Sequence, residues 1–182
     1  MSTPGAAPAR SVDPERHAYG EPSAPVTVLE YGDLECPHCR AAAPVLRELV
    51  DTSQGQVRLV WRHFPLFEVH PHALTAALAS EAAGERGRFW ELHDRCFADQ
   101  SHLADVDLRR HALALGLDPD VVAGVGAQRY APAVEVDYLA GIAAGAQGTP
   151  TLFVGGQPFR ERAELGRLRA AVDVALARAR QG

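Results

Sequence analysis

Cys36 and Cys39 stand three positions apart in the stretch YGDLECPHC, with Pro37 and His38 between them. Two thiols about one helical turn apart lie within reach of a shared S–S bond. If a helix begins at Pro37, its unpaired backbone N–H groups and its dipole face Cys36. Both favour a thiolate, and cysteines so placed ionise at about 3.5–7.5 rather than about 8.5. Pro37 fixes φ and lacks only a donor that the first turn does not need. His38 adds a positive charge or a hydrogen bond near Cys36. Asp33 and Glu35 act in the other direction, because a carboxylate within a few ångströms opposes ionisation of a thiol. Zinc is the main rival. A structural site needs four ligands and a catalytic one usually three plus water. The third cysteine, Cys96, stands alone, and His63, His70 and His72 have no paired spacing relative to 36 and 39. Reversible redox chemistry therefore outweighs metal binding or an inert pair.

The flanking elements must place this pair at a strand–helix junction. VTVLEY (26–31) is apolar and β-branched with little alternation, as in a buried central strand. From Pro37, Ala42, Val45, Leu46 and Leu49 recur at helical spacing to about Thr52, and VRLVWRHF reads as a second strand. Strand, helix and strand form a βαβ unit with parallel strands. Helices are expected over 71–84, over RFWELHDRCFAD, over DVDLRRHALALG with Gly116 as C-cap, and briefly after Asp118. A longer one is expected over 131–145, with Val134, Tyr138 and Ile142 as its apolar stripe. TPTLFVGGQPFR reads as a hairpin about Gly155–Gly156, and a closing helix buries Leu165, Leu168, Val172 and Leu176. The order predicts an α/β fold with a helical insert: a loosely structured lead-in over 1–25, pinned at most near HAYG, then halves at 26–66 and 128–182 around an inserted all-helical domain at 67–127. VGGQP lacks the pattern of a phosphate loop. Cys96 beside Phe97 reads as a small core residue, and His63, His70 and His72 as caps or local hydrogen bonds.

The 182 residues suit one domain with an insertion, and a formal net charge of −5 argues against a general nucleic-acid binder. No run approaches the 18 apolar residues of a membrane span. The N-terminus has no apolar signal-peptide core, so the expectation is a cytoplasmic protein, with an exported one whose leader was removed as the alternative. Three cysteines allow at most one internal pair, which excludes a disulfide scaffold.

CPHC directly after VTVLEYGDLE, with GTPT more than a hundred residues later, resembles the DsbA-like family of the thioredoxin superfamily over about 20–180. The wording also resembles DsbA-like domains of actinobacterial proteins. The resemblance implies a thioredoxin-like fold, a central mixed sheet flanked by helices, with the helical domain inserted. It makes Cys36 the exposed attacking cysteine and Cys39 the buried resolving one. Glu30, six residues before Cys36, takes the place of a buried acid that passes protons to and from Cys39 and resists ionisation; otherwise it ends an edge strand in solvent. Pro150 matches the family's cis-proline, bringing the Thr149 backbone beside the sulfurs, where a substrate chain adds a short β-like contact. A trans bond is the ordinary alternative. The implied activity is thiol–disulfide exchange without a cofactor, acting on cysteine-containing proteins or small thiols and recycled by an unidentified redox partner. A reductase or isomerase of the same fold, or a non-catalytic thiol sensor or binding module, are the rivals. The member that names the family carries aromatic residues before CPHC. Asp33 and Glu35 in their place predict a weaker oxidant.

Overall fold

The computed structural model describes residue 13 and residues 15–181; the rest of the expected lead-in lies outside the described residues. Val26–Gly32 forms strand β2, whose apolar and β-branched residues suit burial on both faces. Val57–His63 (β3) pairs with it in parallel, Val26 opposite Val57 through Gly32 opposite His63. A parallel pair needs a crossover, and helix α1 (Pro37–Asp51) supplies it, burying Ala42, Leu46, Leu49 and Val50. Thr151–Val154 (β4) lies antiparallel on the other side of β2, so Glu30 is flanked by Trp61 on β3 and Leu152 on β4. β5 (Gln157–Phe159) follows through Gly155 and Gly156, whose φ values of +55° and +76° are those a two-residue hairpin turn requires.

The sheet is completed by an element the sequence reading left in the lead-in. Ala18–Gly20 (β1) pairs antiparallel with β3 and gives the order β1-β3-β2-β4-β5. Three residues are too few to display alternation, and what holds them is distant in sequence. Beside β1, the Arg16 guanidinium lies 2.9 Å from Glu81 and 2.6 Å from Asp137. Nε2 of His17 is 2.9 Å from the same Glu81 oxygen, and the ring stacks on Phe89.

Between β3 and helix α6 (Ala131–Ala143) run α2 (Ala73–Glu85), α3 (Phe89–Ala98), α4 (Asp105–Ala114), the short α5 (Pro119–Val122) and a 3-10 segment over Gly124–Tyr130. Helix α7 (Leu165–Ala179) closes the chain and packs with α1 on one face of the sheet, where Val28, Leu46, Leu59, Leu152 and Leu168 share a core. A second core joins Leu92, Cys96 and Phe97 of α3 and Leu108 of α4 to Trp61 and to both Cys36 and Cys39. The Trp61 indole occupies the space above Gly32; a Cβ there would come within 2.2 Å of the ring. Glycine is thus required at the end of β2, against the tryptophan that shares a core with the cysteines.

The expected stripe on α6 is corrected. Val134 is buried, but Ile142 is 52% exposed, and Asp137 and Gly141 complete the inner face. Polarity misleads here because Asp137 is inside for its charge, meeting Arg16 and, at 3.6 Å, Arg62, and accepting a hydrogen bond from the His63 backbone N–H. Among the described residues no helix is long and apolar enough to cross a membrane.

Candidate active site

Cys36 is the N-cap of α1, in extended backbone conformation, with Pro37 at the first helical position. Its sulfur lies 3.4 Å from the Thr149 carbonyl, and the Thr149–Pro150 peptide bond is cis. The fold therefore brings Cys36, Cys39, Thr149 and Pro150 together. Both cysteines carry free thiols. The Asp33 backbone N–H donates to the Cys39 sulfur at 3.5 Å.

The two thiols are chemically unequal. The Cys36 pKa is lowered to about 5, first by a hydrogen bond from the Cys39 thiol, against the opposing effect of burial. The Thr149 hydroxyl and the backbone N–H groups of Cys39 and His38 lower it further. The Thr149 carbonyl favours the protonated thiol, which donates to it. The hydroxyl, buried and without a hydrogen-bond partner among the described residues, lies near enough to favour the thiolate. Cys39 is pushed well above its ordinary value, chiefly by burial, then by its bond to Cys36 and the charge of Glu30.

Glu30 is 1% exposed, and its Oε1 has no hydrogen-bond partner among the described residues. Burial, reinforced by Cys36, raises its carboxyl to about 8. The alternative of a solvent-facing edge residue is excluded by the two strands that flank β2.

Two expectations are corrected. Cys36 is only 3% exposed, because it is built into the insert's core rather than standing clear of the surface. Asp33 and Glu35 do not face the sulfur as unpartnered charges. Asp33 accepts from the Glu35 and Leu66 backbone N–H groups at 2.8 and 2.9 Å and lies 2.7 Å from Nδ1 of His70. Glu35 accepts from the His72 backbone N–H at 2.6 Å. The His70 contact is therefore long-range, not the local bond expected of it. His38 is exposed and lines, with Ala41, Thr149, Pro150, Leu152 and Phe159, a cleft of about 490 Å³ beside the cysteines. Sequence reasoning missed Gln100, whose amide donates to the carbonyls of Leu34 and Cys36. A polar residue in a turn of the insert carries no local signal of that reach.

His17, His63 and Glu81 bring three potential metal-ligand atoms within 4.8 Å of one another. Their hydrogen bonding argues against a metal there. The Trp61 indole, a donor only, points at Nδ1 of His63, 3.1 Å away. The His63 proton then sits on Nε2, which faces Glu81 at 3.3 Å, and Arg16 holds the same carboxylate oxygen. Cys96 lies apart, fully buried, its thiol raised to about 12 by burial.

A family model described as thioredoxin matches residues 12–174. The chain belongs to the thioredoxin family. Its fold is thioredoxin-like, and its relatives include a thioredoxin-like oxidoreductase from Silicibacter pomeroyi DSS-3, 30% identical, with 93% of this chain and 95% of that one covered at a TM-score of 0.77. Pseudomonas aeruginosa DsbA2 is 28% identical over 87% of this chain and 93% of its own, with a TM-score of 0.63. Oxidised BdbD from Bacillus subtilis shares the fold at 23% identity, covering 89% and 93%, with a TM-score of 0.77. These place the chain among the DsbA-like members of the thioredoxin superfamily. Among curated proteins it is 46% identical, over 93% of its length, to the Na(+)/H(+) antiporter NhaA 3 of Salinispora tropica. It is 41% identical, over 83%, to NhaA 1 of Mycolicibacterium gilvum. The chain spans about a quarter of the length of these relatives, 26% and 25%.

Proposed function

We propose that this thioredoxin-family chain is a thiol–disulfide oxidoreductase that accepts electrons from cysteine pairs of protein substrates. The observation that carries the reading is the unequal pair: an N-cap thiol held near 5 beside a buried thiol held high. In the oxidising direction a substrate thiolate attacks Sγ of Cys36, the Cys36–Cys39 bond breaks, and Cys39 leaves with the electron pair. Glu30, protonated at neutral pH, gives Cys39 its proton. A second substrate thiolate then attacks the substrate sulfur of the mixed disulfide and expels Cys36 as a stabilised thiolate. The substrate loses two electrons to the enzyme's disulfide; of its two protons, one goes to restore Glu30 after that acid has protonated Cys39, and the other goes to solvent, because Cys36 is left as the thiolate. A low leaving-group pKa speeds this expulsion and makes the pair oxidising. The cleft past Thr149 and Pro150 receives the polypeptide around the attacking cysteine.

An oxidant of this kind works in an oxidising compartment. A thioredoxin-like protein of Salmonella enterica serovar Typhimurium that shares the fold is described as periplasmic. An exported setting therefore replaces the cytoplasmic one in this reading. Antiport by the longer relatives is not part of it.

Thermal melts of the dithiol and disulfide forms test the direction. The folded Cys36 pKa lies below its unfolded value, so its stabilisation of the dithiol form is present above about pH 9 and is lost as pH falls through about 5. The dithiol form should melt higher at pH 7, and the gap should close on approaching pH 5. A disulfide form that melts higher at pH 7 would turn the reading to a reductase. Failure to oxidise a reduced, unfolded protein at any pH would leave a sensor or binding module.

His38→Gln removes a side chain at the cleft mouth but keeps the backbone N–H that lowers Cys36. The reduction potential should fall by at least about 30 mV, roughly 1.4 kcal/mol for a two-electron couple, while part of the thiolate stabilisation persists. Equilibration against glutathione measures it, and an unchanged potential would confine the effect of His38 to its main chain.

A further inference from the structure

The segment between β2 and α1 is clamped to the segment that opens the insert, and one end of the clamp is titratable. The Cys36 backbone N–H donates to the Asp33 carbonyl at 3.1 Å, and the Asp33 N–H donates to the Cys39 sulfur at 3.5 Å. Asp33 is thus bonded through its main chain to both active-site cysteines. Its fully buried carboxylate meets a single side-chain partner among the described residues: the His70 imidazole at 2.7 Å, itself 20% exposed. A carboxylate on a residue whose main chain holds both cysteines opposes a forming thiolate unless a cation neutralises it.

We propose that His70 is a positioning residue for the exchange reaction: as an imidazolium paired with Asp33 it cancels the acid's charge beside Cys36 and sets how oxidising the cysteine pair is. The groups that face His70 are Asp33 and Glu35 from the segment after β2 and Cys36 at the start of α1, all anionic when ionised. Burial disfavours the imidazolium, but the hydrogen bond and charge of Asp33 outweigh it, and the His70 pKa is raised. When His70 loses its proton, Asp33 is left as an uncompensated charge, the Cys36 thiolate is disfavoured, and the disulfide becomes the more stable form. Oxidising power then falls as pH rises through the His70 titration. That dependence runs opposite to the one from Cys36 itself, whose ionisation favours the dithiol as pH rises above about 5.

The inference rests on the proposed exchange reaction, but its first readout is the Cys36 thiolate, which does not need turnover. Thiolate absorbance against pH and equilibration with glutathione are measured for the wild type, His70→Asn, Asp33→Asn and the double variant, with circular dichroism to check folding. His70→Asn should raise the Cys36 pKa and lower the glutathione equilibrium constant for reduction at least about fivefold, and Asp33→Asn should shift both the other way. In the Asp33→Asn background, His70→Asn should have a much smaller effect, because the charge it cancels is gone and only its own direct field on Cys36 remains. Equal shifts from His70→Asn in both backgrounds, or none in either, would overturn the inference. A wild type that shows the coupled thiolate shifts yet oxidises no substrate would overturn the proposed function and leave the pairing intact. If His70→Asn alone fails to fold, the comparison of Asp33→Asn with the double variant decides, since a shift between those two of about fivefold or more contradicts the pairing.

Discussion

Cys36→Ser should abolish substrate oxidation, whereas Cys39→Ser should accumulate protein–substrate mixed disulfides. The difference follows from position. Cys36 sits beside the cleft at the helix start, with N–H donors on its sulfur, and its thiolate is populated at neutral pH. Cys39 is buried beneath it, and its thiol is held protonated by burial and by Glu30. Without Cys39 the mixed disulfide formed at Cys36 loses its internal resolving thiol and persists. Non-reducing gels with a reduced, unfolded substrate read both outcomes at once. Equal trapping by the two variants would reverse or erase the assignment of attacking and resolving roles. Cys96→Ala is the control: its sulfur is enclosed in the insert's core, so turnover should hold while stability falls by about 1 kcal/mol.

Arg16→Ala should destabilise the protein by about 3 kcal/mol, the low end of the cost of breaking a buried ion pair, because Arg62, His17 and His63 still face its carboxylates. Arg16 joins two buried carboxylates from different elements, Glu81 on α2 and Asp137 on α6. Removing it leaves both without their shared cation. Urea denaturation of the variant measures the loss, and a change below about 1 kcal/mol would mean that water takes over the guanidinium's role. The same cluster sets an acid limit. Burial lowers His17 to about 4, and burial's upward push on Glu81 is outweighed by hydrogen bonds from His17 and His63, which hold it far below the usual carboxylate range. Both groups bind fewer protons folded than unfolded, so their contribution is complete at neutral pH. For His17 it is lost as pH falls from about 6.5 through 4; for Glu81 the loss begins near the ordinary carboxylate value and continues below it. Wild-type denaturation midpoints should therefore decline on acidification below about pH 6.5, before most carboxylates titrate.

The strand–helix junction was legible because local rules fix it. An apolar run, a proline at the first helical position and a cysteine one residue earlier define where Cys36 must stand, and β2, α1 and β3 form within a residue or two of the expected bounds. The hairpin was legible because two adjacent glycines leave the chain little else to do. What was hidden lies in pairings across long stretches of chain. β1 owes its place to Arg16 and His17 meeting Glu81 some 65 residues on. Asp33 read as a repulsive charge because its partner, His70, is 37 residues away. The inner face of α6 was misread because a pattern of apolar residues cannot register an aspartate that is buried for two arginines. In each case the sequence carries the residue, and only the folded chain carries the partner that changes its meaning.

The pairing of β2 with β4 has a consequence for how the protein acquires its chemistry. Glu30 is covered on one side by Trp61 and on the other by Leu152, which is made about 120 residues after it. At roughly 5–20 residues per second, a ribosome needs about 6–24 s to bridge that interval. Through that time Cys36 and Cys39 exist without Thr149 beside them and Glu30 without its second wall. The helix start can form early, but the desolvation that raises Glu30 and the Thr149 hydroxyl that helps lower Cys36 arrive only with the segment Thr149 to Leu152. A nascent chain thus carries the helix start and both thiols before the site is complete, and the hairpin segment supplies its remaining wall.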